Sequence, residues 1–154
     1  MFRKEKGIYT DEKHCSDIAL ISARYPRAIF TGESAYYYYG LSDVIPEQFH
    51  LATLRTDSRI KDSEIRQYFV NENLFGLGKT VMMYHGTQIA IYSRERLLVD
   101  LIRQKNKLPY DYYKEIISSY RRIVEELEFF LVEECAEKLR NRESILNAIE
   151  LEVL

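Results

Sequence analysis

The sequence predicts an α+β fold, with a small mixed β-sheet in the first two-thirds of the chain and a C-terminal run of three to four helices packed on it. Short stretches with strand-like alternation precede Ser93, and apolar residues recur at helical spacing from there to the end. The chain has 154 residues, of which 46% are hydrophobic and 30% charged, a balance typical of a globular protein. We therefore expect residues 1–154 to form a single domain.

The part before Ser93 contains most of the predicted strands. A short strand is predicted around Lys6–Tyr9, and a helix that Asp11 caps ends before Pro26. The tyrosine run is predicted to form a helix. The remaining strands are "RAIFT", "QFHLATLR", "IRQYFV", "KTVMMYH" and "TQIAIYS", and the last two flank a His-Gly turn that predicts a hairpin.

The part after Ser93 is predicted to be helical. "SRERLLVDLIRQ" places Leu97, Leu98, Leu101 and Ile102 on one face, and "PYDYYKEIISSYRR" has Pro109 at its first helical position. A third helix is predicted over "VEELEFFLVEECAEKLR", and its apolar stripe is Val124, Leu127, Leu131, Cys135 and Leu139. A fourth helix repeats the spacing with Ile145, Ile149 and Val153.

Composition limits the classes of function. No apolar run approaches the ~20 residues that a membrane helix needs, and the N-terminus lacks the apolar stretch of a signal peptide, so we expect a cytoplasmic protein without a membrane partner. Cys15 and Cys135 are predicted to be reduced, because two isolated cysteines form no disulfide framework. His14, His50 and His85 have no nucleophile or metal-ligand spacing near them, and structural roles are expected.

Two stretches resemble parts of enzyme sites. Gly78-Lys79-Thr80 ends like a phosphate-binding loop, but the required earlier glycine is missing and a hairpin follows where a helix is needed. An enzyme remnant around Asp62, Glu64 and Lys79 is a weaker hypothesis, since the two carboxylates precede their strand. The sequence therefore predicts no catalytic residues, no metal ligands and no cofactor.

The stretch that begins at Ser93 combines a helix start with basic residues. Ser93 is predicted to be the N-cap, Glu95 suits the positive helix end, and Arg96 with Asp100 can pair on the surface or pin the helix to the sheet. A basic group extends past this helix, and a nucleic-acid-binding module that uses it is the alternative function. Its members are Arg94, Arg96, Arg103, Lys105 and Lys107.

Three segments together resemble the AbiEi-type antitoxins of bacterial abortive-infection systems. "ARYPRAIFTGESAYYYYGLSDVIPEQFHLAT" is similar to the family's Ser-Ala-Leu-Tyr-x-His-Gly-Leu segment, with Ser34 and Gly40 at matching positions. "YSRERLLVDLIR" resembles its Ser-x-Glu-Arg-Thr-x-x-Asp stretch, matched at Ser93, Glu95, Arg96 and Asp100. "EKGIYT" is similar to the end of the family's wing strand, so residues 1–10 resemble the last strand of a missing winged helix.

The resemblance implies an antitoxin domain of a type IV toxin–antitoxin pair used in phage defence. Such a domain counteracts a nucleotidyltransferase-like toxin, through contact with it, competition for its substrate or reversal of its modification. Operator DNA is an implied partner only if the full gene product carries the winged helix. The matched residues Ser34, Gly40, Ser93, Glu95 and Asp100 are expected to be structural.

The four consecutive tyrosines are expected to serve packing more than ligand stacking. Successive helical residues advance by ~100°, so the four rings cannot all face one ligand. Tyr36 is predicted to be buried, with Leu41 closing the helix against the sheet, while Tyr37 or Tyr39 keeps a hydroxyl near solvent. Tyr37 and Tyr39 are therefore candidate contacts for a partner.

Overall fold

The computed structural model describes His14, residues 17–139 and residues 142–154. Strands and helices are interspersed as far as Tyr92, and helices follow. The elements are α1 (residues 17–24), β1 (Ile29–Phe30), α2 (Gly32–Tyr38), β2 (Phe49–Leu54), β3 (Ile65–Val70), α3 (Glu72–Phe75), β4 (Lys79–Tyr84), β5 (Thr87–Tyr92), α4 (Arg94–Arg103), α5 (Tyr110–Arg122), α6 (Phe129–Lys138) and α7 (Arg142–Glu152). The α+β architecture predicted from the sequence is confirmed.

The strands form one mixed sheet in the order β3-β2-β1-β5-β4. The pairs β2–β3 and β1–β5 are parallel, whereas β1–β2 and β4–β5 are antiparallel. The central strand, β1, has only two residues: Ile29 and Phe30 pair with Ala52 and Leu51 of β2, and Phe30 also pairs with Ile91 of β5. This short strand therefore joins the two halves of the sheet.

The predicted hairpin is present between β4 and β5. His85 and Gly86 both have positive φ, 47° and 85°. Two central residues with positive φ suit the twist of antiparallel strands, and glycine adopts that conformation without steric cost. The strand that follows Asp62 and Glu64 is also where it was predicted, at β3.

The observed elements differ from the predicted ones at three places. No element was predicted between "IRQYFV" and "KTVMMYH", and Glu72–Phe75 there forms α3. The third predicted helix is divided, because Leu127 has an extended backbone with ψ 140° between a 3₁₀ turn at Val124–Glu126 and α6. Leu127, Cys135 and Leu139 of the predicted stripe are buried, whereas Val124 and Leu131 are half-buried. Val132 and Ala136, which the stripe did not include, are also buried. Pro109 is the N-cap of α5 and not its first residue.

Several predictions lie outside the described residues. They are the strand around Lys6–Tyr9, the resemblance of residues 1–10 to a wing strand, the Asp11 cap and Cys15.

The most enclosed helix is α4, which contacts α2, α6 and α7. Its Leu97, Leu98, Val99 and Leu101 have no exposed surface. Because a helix with apolar residues on more than one face is covered on more than one side, α4 connects the sheet to the C-terminal helices. None of the helices among the described residues has both the length and the apolar character that crossing a membrane requires.

Candidate functional site

The two stretches that carry the resemblance contact each other although they are far apart in sequence. The Tyr36 hydroxyl donates a hydrogen bond to the Leu97 carbonyl at 3.2 Å, and the Tyr39 hydroxyl donates to the Tyr92 carbonyl at 3.0 Å. These bonds fix α2 against the end of β5 and the middle of α4. The tyrosine run and the Ser93 stretch are therefore parts of one structural unit.

Buried and half-buried side chains alternate along the tyrosine run. Tyr36 and Leu41 are buried as predicted, and Tyr38 is buried as well, with its ring 4.4 Å from that of Tyr84. Tyr37 and Tyr39 are half-buried. The Tyr39 hydroxyl is occupied by the main chain, and burial raises its pKa to about 12.

The other matched residues of this segment are structural, as predicted. Ser34 has no exposed surface, and its hydroxyl oxygen accepts a hydrogen bond from the backbone N–H of His50 at 2.8 Å, which fastens α2 to β2. Gly40 ends the helix, and its N–H donates to the Tyr37 carbonyl at 3.0 Å. Ser34 therefore stabilises the junction between α2 and the sheet, and Gly40 stabilises the end of α2.

The first turn of α4 is tied to two other parts of the chain. The Ser93 hydroxyl oxygen accepts a hydrogen bond from the backbone N–H of Arg96 at 3.1 Å, which confirms its role as N-cap. The buried Glu95 carboxylate accepts from the N–H of Glu128, the residue that caps α6, at 2.9 Å. Glu95 therefore joins the starts of α4 and α6, a contact that the sequence did not indicate.

Arg96 lies inside the protein, with 4% of its surface exposed. Its Nε donates to Asp100 Oδ2 at 3.0 Å, and one Nη donates to the carbonyls of Leu74 and Leu77 at 2.8 and 2.7 Å. The guanidinium also lies 4.3 Å from the centre of the Tyr92 ring. Because these donors are used internally, the prediction that Arg96 contacts nucleic acid is wrong, and the pinning role is the one observed.

The Asp100 carboxylate forms ion pairs with two arginines. Its carboxylate contacts Arg96 and, at 3.5 Å, Arg103. Burial raises the pKa of Asp100, and the two guanidinium groups act in the opposite direction. The predicted structural role of Asp100 therefore includes neutralising part of an arginine cluster.

Gly78 allows the loop before β4 to approach α4. Its φ is +76°, and a Cβ at this position would lie 2.5 Å from the Cβ of Arg96. The Gly78 carbonyl accepts from the Ser93 N–H at 2.7 Å. Glycine is needed here for close backbone packing, not for holding a phosphate.

The remaining members of the predicted basic group are dispersed among acidic partners. Arg94 pairs with Glu126 at 3.1 Å, and Lys105 pairs with Glu152 at 3.3 Å. Lys107 is exposed. The structure therefore does not form one free basic surface from these residues.

The residues of the weaker enzyme hypothesis are not brought together. Asp62 accepts from the Glu64 N–H at 2.9 Å just before β3, whereas Lys79 begins β4. These strands are the two opposite edges of the sheet. Within the described part of the chain, no three His, Cys, Asp or Glu side chains are grouped as metal ligands.

A polar pocket of about 320 Å³ lies beside the Arg96–Asp100 pair, where β2 and β3 end. Arg55 follows β2, Asn71 follows β3, and Arg103 and Gln104 come from the end of α4. Side chains after neighbouring parallel strands meet at one edge of a sheet, which brings Arg55 and Asn71 together, but this signal can be used only once the parallel pairing of β2 and β3 is known.

The pocket wall at Tyr68 is held by a buried histidine. His50 Nδ1 and the Tyr68 hydroxyl are 2.7 Å apart, and Glu33 Oε1 lies 3.9 Å from His50 Nε2. Burial, with the nearby Arg66 charge, lowers the pKa of His50 to about 4. His50 is therefore neutral near neutral pH and serves to orient Tyr68.

The chain matches no protein-family model, and no curated protein sequence is significantly similar to it.

Proposed function

We propose that this protein is a cytoplasmic, non-enzymatic regulatory protein of the AbiEi antitoxin type, which counteracts a nucleotidyltransferase-like toxin in a bacterial phage-defence system. The observation that carries the proposal is the contact between the two stretches on which the resemblance depends. Hydrogen bonds from Tyr36 and Tyr39 join them, at the Leu97 and Tyr92 carbonyls. Two stretches that resemble motifs of one family and also pack together are consistent with a single structural unit, which supports the proposal.

The matched residues support the proposal through their structural roles. Ser34, Ser93, Glu95 and Asp100 each make a specific contact that holds α2, α4 or α6 in place. Since these side chains serve the fold, neutralisation of the toxin is assigned to the surface, where Tyr37 and Tyr39 remain candidate contacts. The proposal includes neutralisation with or without direct contact between the proteins.

Growth rescue tests the proposal. A bacterial host expresses the nucleotidyltransferase-like toxin by itself, together with this 154-residue chain, or together with the Tyr37→Ala variant of the chain. We expect the chain to restore growth, and a loss of rescue in the variant would place Tyr37 in neutralisation. Failure of the wild-type chain, shown to be expressed and folded, would overturn the proposal.

The nucleic-acid-binding alternative has less support, because the arginines and Lys105 of the predicted basic group are paired with acidic side chains. Arg96 is buried, and Arg94, Arg103 and Lys105 are in ion pairs. A titration with short DNA and RNA duplexes at low salt separates the two functions. A flat titration removes the alternative, whereas binding that weakens steeply with salt supports it.

A further inference from the structure

The pocket beside Arg96 carries an excess of positive charge. Its charged lining residues are Arg55, Arg96, Arg103 and Asp100, so three guanidinium groups face one carboxylate. Asp100 is shared by Arg96 and Arg103, which leaves a net charge of +2 in the lining. Such a lining favours a ligand with two negative charges.

Arg55 is available to such a ligand. Its side chain is exposed and makes no hydrogen bond or ion pair with the described residues, although its backbone N–H donates to the Val70 carbonyl at 2.9 Å. Arg103 is also partly exposed, with 38% of its side chain accessible, and lies 3.5 Å from Asp100. The two guanidinium groups therefore provide donors that the fold does not fully use.

The rest of the pocket provides both polar and apolar contacts. Asn71 and Gln104 add amide groups, and Tyr68, Val70 and Leu74 add an aromatic ring and aliphatic surface. The hydrogen bond with His50 fixes the Tyr68 side chain before any ligand binds. A preorganised wall of this kind suits a planar or apolar group attached to the charged one.

We propose that this pocket binds a small phosphate monoester of the size of a nucleoside monophosphate, with the phosphate dianion on Arg55 and Arg103 and the organic group against Tyr68. Guanidinium groups bind phosphate through paired hydrogen bonds, and a dianion matches the +2 lining. The volume of about 320 Å³ limits the ligand to a small molecule. The inference can fail separately from the antitoxin proposal, because the phosphate is assigned to Arg55 and Arg103, which are not matched in the resemblance, although the matched Arg96 and Asp100 also line the pocket.

Calorimetric titration of the full chain tests the inference. The probes are the four nucleoside 5′-monophosphates, ribose 5-phosphate, inorganic phosphate and the unphosphorylated nucleosides. We expect at least one monophosphate to bind, its nucleoside not to bind, and inorganic phosphate to bind more weakly. Binding should also raise the thermal unfolding temperature.

Two charge-matched variants locate the binding. Arg55→Gln should weaken binding by roughly tenfold or more, because it removes a charged donor. Lys107→Gln removes the same charge from an exposed position outside the pocket and should change the affinity little. The Arg55 side chain has no hydrogen-bond or ion-pair partner among the described residues, so its replacement should leave the fold intact. Circular dichroism checks this.

Three results would overturn the inference. In the first, none of the phosphorylated probes binds. In the second, Arg55→Gln and Lys107→Gln have equal effects, which would mean general attraction of anions. In the third, inorganic phosphate binds as tightly as every monoester, which would mean a simple anion site. None of these outcomes depends on whether the chain rescues growth.

Discussion

Replacement of Arg96 by methionine tests whether its buried network stabilises the fold. The variant Arg96→Met keeps an unbranched apolar side chain in place of the arginine stem but removes the guanidinium and its hydrogen bonds to Asp100, Leu74 and Leu77. Breaking one side of a buried ion pair costs about 3–5 kcal/mol. Arg103 remains 3.5 Å from Asp100 and reduces the cost, so we expect the free energy of unfolding to fall by about 3 kcal/mol.

Arg94→Met is the matched control, since it makes the same chemical change two positions away on α4. The Arg94–Glu126 pair is on the surface, where Glu126 has 61% of its side chain exposed. Exposed pairs contribute about 0–1 kcal/mol, so this variant should unfold close to the wild type.

Urea denaturation, followed by circular dichroism, measures both variants. With a typical m-value of about 1–3 kcal/mol/M, the Arg96→Met midpoint should fall by about 1–3 M. The double variant Arg96→Met, Asp100→Asn should cost less than the sum of the single variants, because the buried charge is removed together with its partner. Equal midpoints for Arg94→Met and Arg96→Met would refute the reasoning.

Three further predictions concern single side chains. Tyr36→Phe removes the hydrogen bond to the Leu97 carbonyl and should lower the free energy of unfolding by about 1 kcal/mol in urea titrations. Gly78→Ala combines positive φ with a steric overlap and should cost about 2–3 kcal/mol, whereas Gly76→Ala has open space around it and should cost less than about 1 kcal/mol. The folded pKa of His50, about 4, lies below the ordinary value of 6.5, so the unfolded state binds more protons between them and stability falls as pH falls through this window. Relative to His50→Gln, the wild type should lose about 2 kcal/mol between about pH 7 and about pH 5.

Each of these predictions has an outcome that contradicts it. Tyr110→Phe is the control for Tyr36→Phe because Tyr110 is 67% exposed. Equal losses of unfolding free energy in the two variants would show that the buried Tyr36 hydroxyl does not stabilise the fold. A stable Gly78→Ala variant would show that the loop moves away from α4 at little cost. Parallel pH profiles for the wild type and His50→Gln would show that His50 does not titrate with a lowered pKa.

The β4–β5 hairpin and the start of α4 could be predicted from the sequence because each depends on residues that are adjacent in the chain. The His-Gly turn between two alternating stretches predicted the β4–β5 hairpin, and the Ser93 cap predicted the start of α4. The order of the strands could not be predicted in this way. It depends on a parallel pairing of Phe30 with Ile91, and no short-range pattern encodes that contact.

The candidate site was predictable only in part for the same reason. The spacing of Arg96 and Asp100 predicted their pair, but the carbonyls that complete the network belong to Leu74 in α3 and to Leu77 in the turn after it, about twenty residues earlier in the chain. Arg55 is a single exposed residue after a strand, and a lone arginine gives no pattern. Arg55 and Arg103 line the same pocket only because of the tertiary structure.

The two-residue β1 has a consequence for the order in which the chain folds. The β4–β5 hairpin forms from residues that are close in sequence, but the strand pairing that links β2 to β5 in the described part of the chain runs through Ile29 and Phe30. A chain that emerges from the ribosome therefore exposes the β5-facing edge of β1 until Ile91 has been synthesised. Bringing Phe30 and Ile91 together closes a long loop, and the chain entropy lost in that closure is the main cost of pairing β1 with β5. Native-state hydrogen exchange should therefore detect the two halves of the sheet opening as separate units.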